Sequence, residues 1–174
     1  MNLPNKLTVA RVAAVPFFII SYYTEHYLIA FIIFILASLT DMLDGKIARK
    51  YDLVTNFGKI MDPLADKVLV YSAFLLMVPD PVPAWMLVII LAREFLVAGV
   101  RTVAASKGIV IAAAMSGKIK TVLQMIAVPM LLLCPVIDLN WFTVVSKVML
   151  WASLVMTVVS GVQYVLDNKQ VFKD

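Results

Sequence analysis

Long apolar stretches alternate with short polar breaks along the whole chain. The stretches cover residues 7–23, 28–50, 58–78, 83–106, 117–137 and 140–166. Each one has close to the roughly 20 residues that an α-helix needs to cross the hydrocarbon core of a bilayer. The breaks "YTEHY", "VPDPVP" and "PVIDLN" contain residues that are typical of turns. The pattern therefore predicts an all-α integral membrane protein with six transmembrane helices.

The composition agrees with a chain that lies mostly in lipid. Hydrophobic residues make up 63% of its 174 residues, whereas soluble domains are about 45–50% apolar. At this length we expect a single domain that covers residues 1–174. The net charge of +4 would also fit a nucleic-acid-binding protein, but the basic residues lie at the ends of the apolar stretches. We therefore expect membrane lipids, and no nucleic acid, as partners.

The distribution of Lys and Arg predicts the orientation of these helices. The three breaks quoted above contain no basic residue, and all basic residues except Lys147 lie toward the opposite ends of the stretches. Basic residues favour the cytoplasmic side of a membrane. We expect a multi-pass protein of the cell membrane with both termini in the cytoplasm. Lys147 is expected to snorkel outward or to make a polar interior contact.

Charged residues interrupt three of the stretches before their cytoplasmic ends. The uncharged run "YLIAFIIFILASLT", for example, stops at Thr40, and acidic residues follow within the same predicted helix. Ionisable side chains at membrane depth are costly and usually face a polar cavity. The sequence therefore predicts a polar cavity in the cytoplasmic half of the helical bundle, with the outer half closed.

Two pairs of aspartates have helical spacing. Asp41 and Asp44 are three residues apart, and Asp62 and Asp66 are four apart, so each pair lies on one face of a helix. The segment "KYDLVTN" between them is predicted to be the turn that folds one helix back on the other. This turn would bring the four carboxylates together at the cytoplasmic ends of the second and third helices. Asp52 lies outside the pattern and is expected at the surface.

Four neighbouring carboxylates need counter-charges. Two like charges about 4 Å apart repel by about 4 kcal/mol at an effective dielectric constant near 20. Two divalent cations would neutralise the site, and carboxylate oxygens suit Mg²⁺, Mn²⁺ or Ca²⁺. Zinc is not expected, because the single histidine, His26, lies on the outer side and Cys134 is remote. In the alternative interpretation, the aspartates pair at a solvated membrane surface with Lys46, Arg49, Lys59 and Lys67.

The stretch "DMLDGKIAR…GKIMDPLAD" resembles the signature of the CDP-alcohol phosphotransferases, D-x2-D-G-x2-A-R-x8-G-x3-D-x3-D. Every fixed position of that signature is present: Asp41, Asp44, Gly45, Ala48, Arg49, Gly58, Asp62 and Asp66. The resemblance implies a six-helix membrane fold, usually dimeric, with a two-metal site that opens to the cytoplasm. It also implies a reaction in which an alcohol attacks the β-phosphorus of a CDP-linked lipid and CMP leaves. We therefore expect Mg²⁺ or Mn²⁺ as the cofactor and a homodimer as the assembly.

The same resemblance implies roles for the signature residues. The first three aspartates would bind metal, and Asp66 would be both a metal ligand and the catalytic base. A carboxylate at the edge of such a site can accept the proton of an attacking hydroxyl. The CDP group would be bound by Asp41, Asp44, Gly45, Ala48, Arg49 and Gly58.

Segments outside the signature resemble the bacterial family members whose acceptor is sn-glycerol 3-phosphate. These segments are "NLPNKLTVARV" and "AREFLVAGVRTVAASKG…SGKIKTVLQM", and "DPLADK" at the end of the signature shares the resemblance. The resemblance covers most of the chain and thins in the last helix. The implied reaction transfers the phosphatidyl group of CDP-diacylglycerol to the 1-hydroxyl of sn-glycerol 3-phosphate, giving phosphatidylglycerophosphate and CMP. The alternatives are a phosphatidyltransferase with another acceptor (phosphatidylglycerol, inositol phosphate or serine) and, more distantly, a cation or proton transporter.

A phosphorylated acceptor requires fixed positive charge near the metal site. Arg93 and Arg101 are eight residues apart, which places them about 80° apart around a helical wheel. Lys118 and Lys120 open the fifth predicted helix. We expect these four residues to bind the acceptor phosphate, with arginine acting as a bidentate clamp.

The basic residues also have structural interpretations. Arg93 would then pair with Glu94 or Asp66, and the two lysines would contact lipid headgroups. Thr8 and Arg11 share one side of the first helix. They are further candidates to bind the acceptor phosphate, in a position close to the nucleotide or the acceptor. Alternatively, they anchor the helix at the membrane interface.

Overall fold

The computed structural model describes residues 3–50, 55–112 and 114–172. Within these ranges, it leaves out the side chains of residues 3–4, 41–50, 56–57, 59–60 and 63. Most of the predicted turn "KYDLVTN", with Asp52, lies outside the described residues. The predicted turn therefore stays a prediction.

All regular elements of the described residues are helical, which confirms the all-α prediction. The helices are α1 (Leu3–Tyr23), α2 (Tyr27–Lys50), α3 (Asn56–Leu76), α4 (Ala84–Ser106), α5 (Met115–Leu133), α6 (Asn140–Asp167) and a C-terminal 3-10 helix (Lys169–Phe172). The first and last residues of every α-helix lie within four residues of the first and last residues of the corresponding predicted apolar stretch. Apolar length and the turn residues between the stretches thus predict the elements well.

Three of the helices are long and apolar enough to cross a membrane among the residues described: Asn5–Tyr23 of α1, Met115–Leu133 and Asn140–Asp167. A shorter apolar run covers Tyr27–Thr40 of α2. Helix α4 is 23 residues long, but Arg93, Glu94 and Arg101 interrupt its apolar sequence. The helices therefore indicate a membrane protein.

The chain folds into two compact units, and the first comprises Met1–Met77 with Val128–Leu139. In this unit, α1 packs against α2 and α3. The Phe18 and Phe34 rings lie 6.2 Å apart in the contact between α1 and α2. Helix α3 begins after Thr55, whose hydroxyl accepts a hydrogen bond from the Gly58 N–H at 3.0 Å, as a helix N-cap does.

The second unit comprises Val78–Ala127 and Asn140–Asp174. Its helices α4 and α6 pack together, and the C-terminal 3-10 helix contacts α4. Two residues beyond the end of α4, Gly108 adopts a φ of +73° that glycine tolerates better than other residues. The Gly108 and Ile109 N–H groups donate to the Ala105 and Ala104 carbonyls, an arrangement that satisfies the last carbonyls of a helix. This turn brings Ile109 against a small core that includes Tyr164.

Candidate functional site

Helix α3 carries the two signature aspartates whose side chains the structure describes. Asp62 and Asp66 lie one turn apart on α3, and both are partly buried. The Thr8 hydroxyl on α1 donates a hydrogen bond to Asp62 Oδ1 at 2.6 Å, and Thr8 is 0% exposed. The contact between α1 and α3 therefore orients one carboxylate of the predicted metal site.

Gly58 lies where the starts of α1 and α3 meet. The Thr55 hydroxyl donates to Asn5 Oδ1 at 2.9 Å, across the same contact. A Cβ atom at Gly58 would lie 3.3 Å from Asn5 Oδ1 and 3.4 Å from Asp62 Oδ2. The 3.3 Å distance is tight for a carbon atom, so a side chain at position 58 would press on Asn5, whereas the 3.4 Å distance from Asp62 is an ordinary contact. The signature glycine thus allows α1 to pack closely against the start of α3, beside a predicted metal ligand.

The other signature residues lie on the last turns of α2, within a segment whose side chains the structure leaves out: Asp41, Asp44, Gly45, Ala48 and Arg49. Among the side chains that are described, no three acidic, histidine or cysteine residues form a metal-binding group. The convergence of all four aspartates is therefore still a prediction. The donor chemistry of Asp62 and Asp66 fits Mg²⁺ or Mn²⁺, which prefer carboxylate oxygens.

A second polar site is built around Arg93 on α4. Its Nη1 donates to Glu94 Oε1 at 2.8 Å, and its Nε donates to Ser160 Oγ on α6 at 3.1 Å. Lys120 Nζ on α5 donates to the same Glu94 oxygen at 2.6 Å. One carboxylate therefore binds two cationic side chains and links α4 to α5, while Arg93 also links α4 to α6.

Two glycines border the Arg93 side chain. A Cβ at Gly117 would lie 3.2 Å from Arg93 Nη2, and a Cβ at Gly161 would lie 3.0 Å from Arg93 Cγ. The neighbouring helices thus approach the arginine closely on two sides. Since Glu94 and Ser160 also hold its guanidinium, Arg93 has little freedom to move away from an added methyl group.

We expect Gly161→Ala to lower the unfolding temperature in detergent, because the new methyl group would press on the constrained Arg93 stem. Overpacking of this kind costs about 1–3 kcal/mol. Gly99→Ala on α4 is the matched control, since nothing lies within 4 Å of its added Cβ. A Gly161→Ala protein that is as stable as the control would show that Arg93 can shift freely.

Arg93 also lines a cavity of about 350 Å³ in the second unit. Arg101 and Lys118 line the same cavity, and neither of them has an ion-pair partner among the described residues. The remaining lining residues are Val97, Ala114, Gly117, Thr121, Val122 and Tyr164. The lining therefore combines three cationic side chains with apolar and hydroxyl-bearing ones, which suits a small anion with an organic part.

The other three expected acceptor ligands are not among the residues that line this cavity. Lys120 is 3% exposed, bonds to Glu94, and is absent from the cavity lining. Thr8 and Arg11 belong to the first unit, where Arg11 is 2% exposed and its Nε donates to the Ala37 carbonyl at 3.2 Å. Of the six residues predicted to bind the acceptor phosphate, three share one cavity.

Sequence reasoning missed several residues of both sites. Asn5 and Thr55 were not singled out, although a threonine before an apolar stretch is a typical N-cap signal. Tyr164 was also missed, although it lies two residues before the end of the apolar stretch 140–166. Their roles depend on contacts between helices, which sequence spacing does not reveal.

The fold and the two sites define a helical membrane protein that presents carboxylates on one unit and a basic cavity on the other. A sequence model of the CDP-alcohol phosphatidyltransferase family matches residues 1–159. The chain belongs to this family of enzymes. This finding confirms the resemblance seen in the aspartate signature.

Several full-length relatives carry the same name, CDP-diacylglycerol--glycerol-3-phosphate 3-phosphatidyltransferase. The protein from Bacillus subtilis (strain 168) is 45% identical over 189 aligned residues, which cover 99% of this chain and 97% of that protein. The protein from Rickettsia bellii (strain RML369-C) is 39% identical, with 98% and 97% covered. The Haemophilus influenzae (strain KW20) protein is 35% identical, with 98% of each chain covered.

Proposed function

We propose that this protein transfers the phosphatidyl group of CDP-diacylglycerol to the 1-hydroxyl of sn-glycerol 3-phosphate, giving phosphatidylglycerophosphate and CMP. The observation that carries the proposal is the cavity lined by Arg93, Arg101 and Lys118. The names of relatives that match over nearly the whole chain support the same acceptor.

The three cationic groups favour a phosphorylated acceptor over serine. Arginine and lysine side chains offer only hydrogen-bond donors, and a phosphate dianion offers only acceptors. Serine offers a single carboxylate beside an ammonium group, so it would leave most of this positive charge unpaired. Inositol phosphate would satisfy the same cations, so the acceptor must be tested directly.

The carboxylates would hold two divalent cations, Mg²⁺ or Mn²⁺, through Asp41, Asp44, Asp62 and Asp66. When bound, these cations would neutralise the aspartates and polarise the phosphate oxygens of the lipid substrate. Asp66 would accept the proton of the attacking 1-hydroxyl. Thr8 would hold Asp62 in its orientation through the 2.6 Å hydrogen bond.

The CDP group would lie against the small residues of the signature. Gly45, Ala48 and Gly58 would allow it to approach the helix backbones closely, and Arg49 would contact the diphosphate. Asp41 and Asp44 would contact the nucleotide as well as the metal ions.

We further propose that all six helices cross the cell membrane, with both termini and the polar cavity on the cytoplasmic side. The basic residues along the sequence support this orientation. The chain would act as a single domain over residues 1–174 and assemble as a homodimer. Its partners would be the two substrates and membrane lipids, with no nucleic acid.

The proposed function is tested by CMP release from the purified protein in detergent. The assay contains CDP-diacylglycerol and Mg²⁺, with glycerol 3-phosphate, inositol phosphate, serine or phosphatidylglycerol offered separately. We expect turnover with glycerol 3-phosphate alone, lost on chelation and restored by Mg²⁺ or Mn²⁺. Turnover with another acceptor alone would overturn the proposed acceptor, and cation flux in proteoliposomes without CMP release would favour a transporter.

A Thr8→Val substitution should weaken metal binding. Valine keeps the shape of threonine but cannot donate to Asp62, and loss of a group that orients a metal ligand typically costs 10–100-fold in affinity. We therefore expect the Mn²⁺ dissociation constant to rise by about tenfold, measured by electron paramagnetic resonance of free Mn²⁺ in detergent.

Thr102→Val is the matched control for this experiment. The Thr102 hydroxyl donates only within its own helix, to the Ala98 carbonyl at 3.0 Å, and the residue is exposed. Its removal should leave Mn²⁺ binding unchanged. Equal Mn²⁺ affinity in both variants would show that Thr8 does not orient a metal ligand.

A further inference from the structure

Tyr164 on α6 combines a buried ring with a hydroxyl that has no hydrogen-bond partner. The residue is 3% exposed and belongs to a small core with Val97, Val100 and Val171. Within the part of the chain that the structure describes, no group donates to or accepts from its hydroxyl oxygen. A buried polar atom without a partner is unfavourable. If the residue only packed in this core, phenylalanine would therefore be more stabilising than tyrosine.

The same residue lines the basic cavity. Arg93, Arg101 and Lys118 contribute the charge of that cavity, and all three side chains are donors without any acceptor atom. The Thr121 hydroxyl in the same lining donates to the Gly117 carbonyl at 3.1 Å. The charged groups of the cavity therefore offer no acceptor for the Tyr164 hydroxyl proton. An anionic ligand would supply an acceptor oxygen.

We propose that the Tyr164 hydroxyl donates a hydrogen bond to the phosphate of the acceptor substrate, alongside Arg93, Arg101 and Lys118. This inference rests on the proposed function, because it assigns the cavity to a phosphorylated acceptor. It adds a neutral donor to a set of cations. A hydroxyl that donates to a charged oxygen forms a short, directional bond, so Tyr164 would help select a phosphate by shape as well as by charge.

The test is the isosteric Tyr164→Phe substitution, which removes the hydroxyl and keeps the ring in the core. We expect the KM for glycerol 3-phosphate to rise by about 10- to 100-fold, which corresponds to the loss of a hydrogen bond to a charged group. The KM for CDP-diacylglycerol and the kcat should stay at the wild-type values. The unfolding temperature should stay the same or rise, since an unsatisfied buried hydroxyl is removed.

Tyr23→Phe is the control, because Tyr23 is 74% exposed at the end of α1 and belongs to the first unit. It should behave as wild type in every measurement. An unchanged KM for glycerol 3-phosphate in Tyr164→Phe would overturn the inference. A parallel rise in both KM values with a lower unfolding temperature would do so too, because it would indicate altered packing.

Binding of inorganic phosphate separates this inference from the proposed function. Isothermal titration of the detergent-solubilised protein, without CDP-diacylglycerol, should show weaker phosphate binding by Tyr164→Phe than by wild type. If wild type turned over no glycerol 3-phosphate, the proposed function would fail, and this titration would still decide whether Tyr164 binds phosphate. Equal phosphate binding by the two proteins, or none by either, would overturn the role of the hydroxyl.

Discussion

Asp66→Asn should abolish CMP release, with a loss of at least about 10³-fold in kcat. General acid–base catalysis alone contributes about 10²–10⁴-fold, and the substitution would also remove a charged metal ligand. Asparagine keeps the size of the side chain and one carbonyl oxygen. The loss would therefore come from the missing charge and the missing basic oxygen, and not from repacking of α3.

Metal binding must be measured in the same variant, because two roles are proposed for Asp66. Retained Mn²⁺ binding with lost turnover would support its role as the base, while loss of both would support its role as a ligand. Asp167→Asn is the matched control, since Asp167 is exposed at the end of α6. Near-normal turnover by Asp66→Asn would show that another group accepts the proton.

Glu94→Gln is expected to produce the largest loss of stability. Glu94 binds Arg93 at 2.8 Å and Lys120 at 2.6 Å, and the three side chains are at most 12% exposed. Neutralising the carboxylate would leave two neighbouring cations without their counter-charge. Removing one partner of a buried ion pair typically costs about 3–5 kcal/mol, so the unfolding temperature in detergent should fall by several degrees.

The double substitution Glu94→Gln with Lys120→Met tests whether charge is the cause. The second change removes one cation and restores the net charge of the cluster, while methionine fills a volume similar to that of lysine. We expect the double variant to regain much of the lost stability. If it were no more stable than Glu94→Gln, the shape of the carboxylate and not its charge would be the important feature.

The pairing of Arg93 with Glu94 leaves one of its nitrogens for the proposed contact with the acceptor phosphate. Arg93 Nη1 and Nε donate to Glu94 and Ser160. Its Nη2 lies beside Gly117 in the cavity lining. The sequence suggested either an ion pair or a phosphate ligand at position 93. The structure has the ion pair and also places Arg93 in the cavity wall.

The sequence alone was enough to predict the helices and the family. Apolar length, turn residues and the aspartate spacing are local properties, because a helix forms from neighbouring residues and presents them at a fixed angle. The bounds of α4 and α6, for instance, were predicted to within one residue. The spacing of Asp62 and Asp66 likewise places both carboxylates on one face of α3 before any packing is known.

Only the tertiary structure decided which polar side chains meet. Thr8 and Asp62 are 54 residues apart in sequence, and Arg93 and Ser160 are 67 apart. Lys118 and Lys120 look equivalent in sequence, yet Lys118 lines the cavity and Lys120 is buried against Glu94. Such differences depend on how each helix is rotated and packed. A buried polar group needs a hydrogen-bond partner, and the neighbouring helix determines which partner lies within reach.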